Sequence, residues 1–399
     1  RSLPEAGRYV VDDDAAIDRP RAHAALAVQV ELRFGEHEIT IETPVVHAWT
    51  DRVHGERQRR FLVAPPVSVT PLRTAVLAAN GDAAQLDLRL RAVADDVRGR
   101  IEVPVPEGWS VEPEARTFAL ASRGDEVVVR FAVSGPSGRA RTELRPRAVV
   151  GERAWSWAER VIDYPHIPVQ QVFQPATAQV ATLEITRGEG RIGYLAGSGD
   201  TVADDLMHVG YDVEQIDDAT LRTGDLDRFA AIVVGIRAYN TRAALPAAHA
   251  RLMAYVERGG TVVMQYNTSS SWSPLETAIG PYPLTLGRTR VTDETAAMEA
   301  VDPDSPWLHY PNAIVAADFD GWVQERGLYF AEEWDQRYQP LFAANDPGEE
   351  PARGAVLVAG YGEGRYVYTG LAFFRQLPAG VPGAYRLLAN LLAGGRDAR

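Results

Sequence analysis

Three clusters in the C-terminal half of the chain hold the residue types that do chemistry. Gly235-Ile236-Arg237-Ala238-Tyr239-Asn240-Thr241-Arg242 follows one apolar run, and Gln265-Tyr266-Asn267-Thr268 ends another. Forked arginine donors with a tyrosine and carboxamides can bind a carboxylate or sugar hydroxyls. The plainer alternative is that Arg237 and Arg242 tie neighbouring loops to acids such as Asp320 or Glu325. The third cluster, Asp318 to Phe330 followed by Glu332, Glu333, Trp334 and Asp335, crowds acids with aromatics. Paired carboxylates of unequal pKa perform glycoside hydrolysis, and indole faces beside acids suit a sugar site. Equally, Trp322 and Trp334 can fill a core while Arg326 neutralises an acid.

Nucleophilic chemistry finds little to work with. The chain has no cysteine, so Gln265-Tyr266-Asn267 offers no activated thiol where a wound α/β enzyme carries its nucleophile. Ser269 to Ser271, beside Trp272, would need a histidine base. His208 and His249 fall within helical runs, which leaves His309 as the free candidate. Gly197-Ser198-Gly199-Asp200 follows a strand and opens a helix, where a phosphate can sit on N–H groups. Val202 replaces the third glycine of a dinucleotide fingerprint, and the order of residues does not make Gly-x-Ser-x-Gly. A tight turn plus helix cap is the expectation there. No His-x-x-x-His pair occurs, and no metal site is assigned.

The elements that must position these clusters read as a wound α/β sheet. Strands are expected from Arg191 to Ala196, Tyr211 to Ile216, Phe229 to Gly235 and Thr261 to Tyr266. Helices are expected from Asp200, with Thr201 and Asp204 in a capping-box relation, and from Ala247 to Arg258 ahead of Gly259-Gly260. A hairpin, Gly354 to Gly360 with Gly364 to Gly370, and a helix, Gly383 to Leu392, close the chain. Strands alternating with helices require parallel pairing and right-handed crossovers.

Upstream the period is two. Val28, Val30, Leu32 and Phe34 alternate with polar residues before a turn into Ile39 and Ile41, the pattern of a half-buried hairpin. After Pro65-Pro66, strands are expected at Ala75 to Ala79, Leu86 to Val93, Ile101 to Val105, Val127 to Val133 and Thr142 to Val150, spaced as in a β-sandwich. The organisation predicted is therefore a β-sandwich over 1–64, incomplete if alone, a second immunoglobulin-like sandwich over 65–163, a proline-bearing linker over 164–188, and an α/β domain over 189–395.

At 399 residues the chain is long enough for two or three domains. Its net charge of −13 argues against a sequence-independent grip on nucleic acid or anionic lipid. Every basic residue is arginine, which reads as coding bias and carries no function. No apolar run approaches the ~20 residues that span a bilayer. The start at Arg1-Ser2-Leu3-Pro4 suggests a piece of a longer protein.

Several long phrases carry a resemblance: Arg191-Ile192-Gly193-Tyr194, Gly235 to Arg242, Gln265-Tyr266-Asn267, Gly280-Pro281-Tyr282-Pro283, Arg290-Val291-Thr292-Asp293-Glu294, Asp318 to Phe330, and Phe374-Arg375-Gln376-Leu377-Pro378-Ala379-Gly380. Together they resemble the C-terminal region of large bacterial PIG-L (LmbE-like) deacetylases, over most of the chain. Pro106-Glu107-Gly108-Trp109 also looks like a turn of NEW3-type immunoglobulin-like modules. The resemblance implies sandwich modules followed by a degenerate class I glutamine-amidotransferase-like domain with a flavodoxin-like wound parallel sheet. The deacetylase signature His-Pro-Asp-Asp is missing, so zinc is expected only in an absent catalytic domain and no cofactor or catalytic residue is assigned here.

On that reading the chain is a non-catalytic accessory portion of a sugar N-deacetylase. It binds a carbohydrate or amino-sugar glycan, or braces the deacetylase domain of its parent, with no nucleic-acid partner and no membrane insertion, and it is extracytoplasmic. The expected ligand site comprises Arg237, Tyr239, Asn240, Gln265, Asn267 and Arg375, rimmed by Asp320, Trp322 and Glu325. The competing reading is a stand-alone glycan hydrolase using Asp320, Glu325, Glu332 or Asp335.

Overall fold

The computed structural model describes residues 24–164, 166–270, 275 and 277–395. The chain is rich in β-structure, divided among many small sheets and one large one. Pro165, Ser271 and Trp272 lie outside the described residues.

The N-terminal pattern gives two separate hairpins, Ala27–Phe34 with His37–Pro44 and Val46–Asp51 with Gly55–Arg60. The sandwich expected over 1–64 lies partly outside the described residues, and within them these two hairpins are what forms. Pairing of Val30 with Ile41 and Leu32 with Ile39 puts the apolar set on one face, as alternation demands. No second sheet packs on that face among the described residues, and Phe34 remains 62% exposed. Alternation fixes which side chains share a face but not whether anything covers it.

Two four-stranded sheets lie between Val67 and Trp155. One four-stranded sheet contains Val67–Pro71, Ala84–Ala92, Glu126–Ser134 and Ser110–Glu112, and the other Ala115–Leu120, Val97–Glu102, Arg147–Val150 and Arg153–Trp155. Leu86, Leu88, Leu90, Ile101 and Phe131 are wholly buried between them. The linker expected over 164–188 is corrected, because two strands occupy it. Gln170–Pro175 pairs with Trp157–Ile162, and Ala178–Leu183 inserts between Ala75–Ala79 and Arg141–Leu144. Val180 of that strand belongs to the sandwich core while Leu183 belongs to the next one. The proline-rich opening of the stretch hid a strand that joins two cores.

From residue 192 the chain builds a seven-stranded sheet. Its elements are β1 (Ile192–Leu195), α1 (Val202–His208), β2 (Val213–Gln215), α2 (Asp218–Thr223), β3 (Ala231–Val234), α3 (Ala238–Thr241), α4 (Ala244–Glu257), β4 (Thr261–Gln265), β5 (Gln339–Pro340), β6 (Val356–Tyr361), β7 (Gly364–Thr369), α5 (Phe373–Gln376) and α6 (Pro382–Ala393). The strand order is β2-β1-β3-β4-β7-β6-β5. The first five are parallel, and β6 runs antiparallel to both its neighbours. Val202, Leu206, Leu388 and Leu391 of α1 and α6 cover one face, and Leu221, Leu245, Leu252 and Val256 of α2 and α4 the other. Burial on both faces is why these strands are continuous apolar runs. β1 and β3 are parallel neighbours, and the order in which strands are added reverses between them, so the loops leaving their carboxyl ends part at the place where open sheets collect ligands.

Candidate functional site

The crevice between the carboxyl ends of β1 and β3 is filled by the protein itself. Asp200 accepts the Tyr194 hydroxyl and the Val202 N–H at 3.0 Å with one oxygen, and the Ile236 N–H at 3.1 Å with the other. Ser198 N–H donates to the Ile236 carbonyl at 2.8 Å. A Cβ at Gly197 would stand 2.1 Å from that carbonyl, so glycine here permits contact between two loops rather than room for a phosphate. Asp200, and not a Thr201–Asp204 box, caps α1; Thr201 donates to Asp205 at 2.9 Å instead. Burial first, and then the Asp200 carboxylate, push the Tyr194 hydroxyl well above its ordinary range, keeping it a donor. The Gln265 amide acts on that hydroxyl in the opposite direction, yet both of its buried polar atoms lack a hydrogen-bond partner.

One step along the sheet, Asn240 and Asn267 stitch the loop after β3 to the loop after β4. Asn240 donates to the Thr268 carbonyl at 2.7 Å and accepts from its N–H at 2.9 Å. Asn267, fully buried, accepts from the Tyr239 N–H at 2.9 Å and donates to the Gln265 carbonyl at 3.1 Å. Tyr239 turns inward onto α4, its hydroxyl 2.9 Å from Nδ1 of His249. Four residues expected to face a ligand are therefore buried or committed: Asn240 and Asn267 hold the loops, Tyr239 faces His249, and Gln265 is buried. Trp322, expected at the rim, is corrected to core, with its indole N–H on the Asp318 carbonyl and its ring against Phe319 and Phe373.

What remains at the surface is a different grouping, centred on Tyr266. The Tyr266 and Tyr329 rings stack with centroids 5.4 Å apart and planes at 17°, and Phe374 lies 5.5 Å away. Of the stacked pair Tyr266 is buried and Tyr329 half-buried, so Tyr329 is the outer ring. Arg375 covers Phe374 at 4.8 Å and pairs with Glu325 at 2.7 Å while also reaching Gln324. Arg237 is exposed and its guanidinium has no partner among the described residues, although its N–H donates to the Tyr266 carbonyl at 2.8 Å. Arg242, by contrast, is spent on Asp218 and the Ile216 carbonyl. Burial pushes the Tyr266 hydroxyl up, against the opposing pull of Arg237 and Arg375.

The backbone is strained at this spot. Arg237 (φ 55°), Gln324 (φ 68°) and Tyr329 (φ 54°) occupy the left-handed region, and of the non-glycine residues that do so only Asn80 and Asp96 lie elsewhere among the described residues. Asparagine and aspartate enter that region readily, whereas a tyrosine does not. Strain of about 1–3 kcal/mol per residue persists where surroundings over-determine it, as functional surfaces do. Tyr329, Phe374 and Gln324 were not picked out as ligand residues from the sequence, because neither a left-handed tyrosine nor contact across sixty residues leaves a local pattern.

The acids of 318–335 do not converge. Asp318 is buried among arginines, Asp320 is exposed, and Glu325 pairs with Arg375. Glu332 accepts from Thr289 at 3.0 Å, and Arg337 holds the Asp335 carboxyl down at about 2. His309 donates from Nε2 to the Pro303 carbonyl at 2.8 Å. Among the described residues no group of three histidines and acids could hold a metal ion, and no helix is long and apolar enough to cross a membrane.

No protein-family model matches the sequence, and no curated protein matches it. Solved structures align in part. A β-galactosidase from Rahnella sp. R3 is 16% identical at a TM-score of 0.31, over 50% of this chain and 31% of that one. A cytoplasmic protein of Salmonella typhimurium LT2 is 12% identical at 0.32, over 60% and 96%. An exo-β-1,4-mannosidase from Opitutaceae bacterium strain TAV5 is 11% identical at 0.29, over 51% and 34%. The aligned part of this chain spans about a third of the length of the two glycosidases.

Proposed function

We propose that this chain is a non-catalytic recognition portion of a PIG-L-type sugar N-deacetylase, in which the seven-stranded domain, a degenerate glutamine-amidotransferase-like unit, binds carbohydrate or braces the catalytic domain. Its carbohydrate surface is the Tyr329 ring with Arg237 and the Arg375–Glu325 pair. The observation that carries the reading is the fate of the carboxyl end of β4. Where a wound enzyme would place a reactive group, Asn267 is buried and consumed by backbone, and the Tyr266 hydroxyl is held protonated by burial. Beside it stands an uncommitted guanidinium on a strained backbone, next to a half-buried ring. Such a surface supplies forked donors for hydroxyls or a carboxylate and a face for the apolar side of a sugar.

Isothermal titration of the chain with amino-sugar oligomers, and separately with a PIG-L deacetylase domain, tests both halves. Binding of the oligomers is expected to weaken about tenfold in Arg237→Ala, the loss of one charge-assisted contact, and similarly in Tyr329→Ala. Silence toward the oligomers and toward the deacetylase domain would remove the proposal.

A further inference from the structure

We infer a second ligand site, far from the sheet edge, that takes a doubly charged tetrahedral oxyanion such as a sulfate or phosphate group. It is a pocket of about 140 Å³ between the second N-terminal hairpin and the sandwich, into which Arg59, Arg91 and Arg123 converge. Val161 and Val169 form part of its wall, lowering the local dielectric and strengthening any charge interaction inside. Only one carboxylate, Glu159, lines it.

Glu159 is already committed, and that decides the charge left over. Its oxygens accept from Arg91 at 3.4 Å, Ser68 at 3.3 Å and Gln171 at 2.5 Å. Arg91 also faces Glu126 at 3.5 Å, so its charge is answered twice. Among the described residues the guanidinium groups of Arg59 and Arg123 have no carboxylate partner, and the buried Nε of Arg59 has no acceptor. A buried arginine nitrogen without an acceptor costs free energy that an anion would recover. Two unanswered positive charges stand out in a chain whose net charge is −13. The volume admits an oxyanion group, free or as a substituent of a larger molecule.

The two guanidinium groups without a carboxylate, Arg59 and Arg123, favour a dianion over a carboxylate. Titration calorimetry at constant ionic strength with sodium sulfate, sodium phosphate and sodium acetate reads this directly, and a sulfated oligosaccharide against its desulfated form separates a free ion from a substituent. Sulfate and phosphate are expected to bind at least about tenfold more tightly than acetate, with binding weakened about tenfold in Arg59→Met and in the exposed Arg123→Gln. Arg123→Gln guards against misfolding of the Arg59 variant, and the thermal midpoint of the native chain should rise with sulfate. Acetate binding as well as sulfate, or sulfate binding indifferent to both substitutions, overturns the inference. Neither result bears on the surface around Arg237.

Discussion

At the scale of single residues, a polar group withdrawn from water is stable where the protein supplies its hydrogen bonds. Asn240, Asn267 and Gln265 have the polar amides of a binding site, but groups taken from water must find protein partners, and the two asparagines found backbone. His249 shows the same logic with a titratable ring. Burial holds its pKa below the ordinary 6.5, against a weaker opposing contact with Gly280. A neutral ring can accept the Tyr239 hydroxyl at Nδ1, and a protonated ring cannot. As pH falls the unfolded chain therefore takes up this proton first. The stabilising contribution is complete above 6.5 and is lost as pH drops through the lowered folded value. Thermal midpoints measured from pH 8 to 5 should fall, and His249→Gln should fall less steeply. Parallel curves would contradict the assignment. His208, also lowered by burial, titrates in both proteins and cancels from the difference.

At the scale of elements, the strand order puts β1 and β3 side by side, and the loops leaving them are locked together. Gly197 is the contact point, with the Ile236 carbonyl where its Cβ would be. Both atoms are backbone, so neither can swing aside as a side chain would. Gly197→Ala should destabilise the domain by about 2 kcal/mol, the cost of overpacking. Gly199→Ala tests a different quantity, since nothing crowds that position and only its φ of 88° resists a side chain. Denaturant titration of the two variants separates them; an unperturbed Gly197→Ala would mean the loops part easily and the crevice can open. Most strands and helices of the C-terminal half were legible from periods of two and 3.6, whereas Thr142 to Val150, expected as one strand, is two strands in different sheets. Helix α4 runs from Ala244 to Glu257 where Ala247 to Arg258 was expected, and the closing hairpin falls within two residues of its expected place. Long-range consequences were not legible: the strand Ala178–Leu183 behind a proline-rich stretch, the hairpin face left uncovered, and the inward turn of Trp322 all depend on contacts distant in sequence.

At the scale of the whole molecule, the sandwich and the α/β domain are joined by buried charge. Asp318, 1% exposed, accepts from Arg139 of the sandwich at 2.8 Å, from Arg386 of α6 at 3.0 Å, and from the Val315 N–H at 2.9 Å. Arg73 of the sandwich meets the buried Asp205 of α1 in the same way. The strand Ala178–Leu183 adds a covalent join, contributing to both cores. Two domains so connected should unfold in one transition, since neither can leave without stranding a carboxylate in the other's wall. Removing the shared acid strands two guanidinium groups instead. Asp318→Ala is expected to cost about 3 kcal/mol, the scale for breaking a buried pair, and to split the unfolding curve. Arg139→Ala should cost less, about 1 kcal/mol, because that side chain is half exposed and water screens it. Guanidinium denaturation followed by tryptophan fluorescence and by far-ultraviolet dichroism reads both effects, as Trp109 and Trp155 report on the sandwich and Trp307 and Trp322 on the other core. Coincident probes in Asp318→Ala, with no loss of stability, would show that the strand alone couples the domains and that the buried charges are incidental to it.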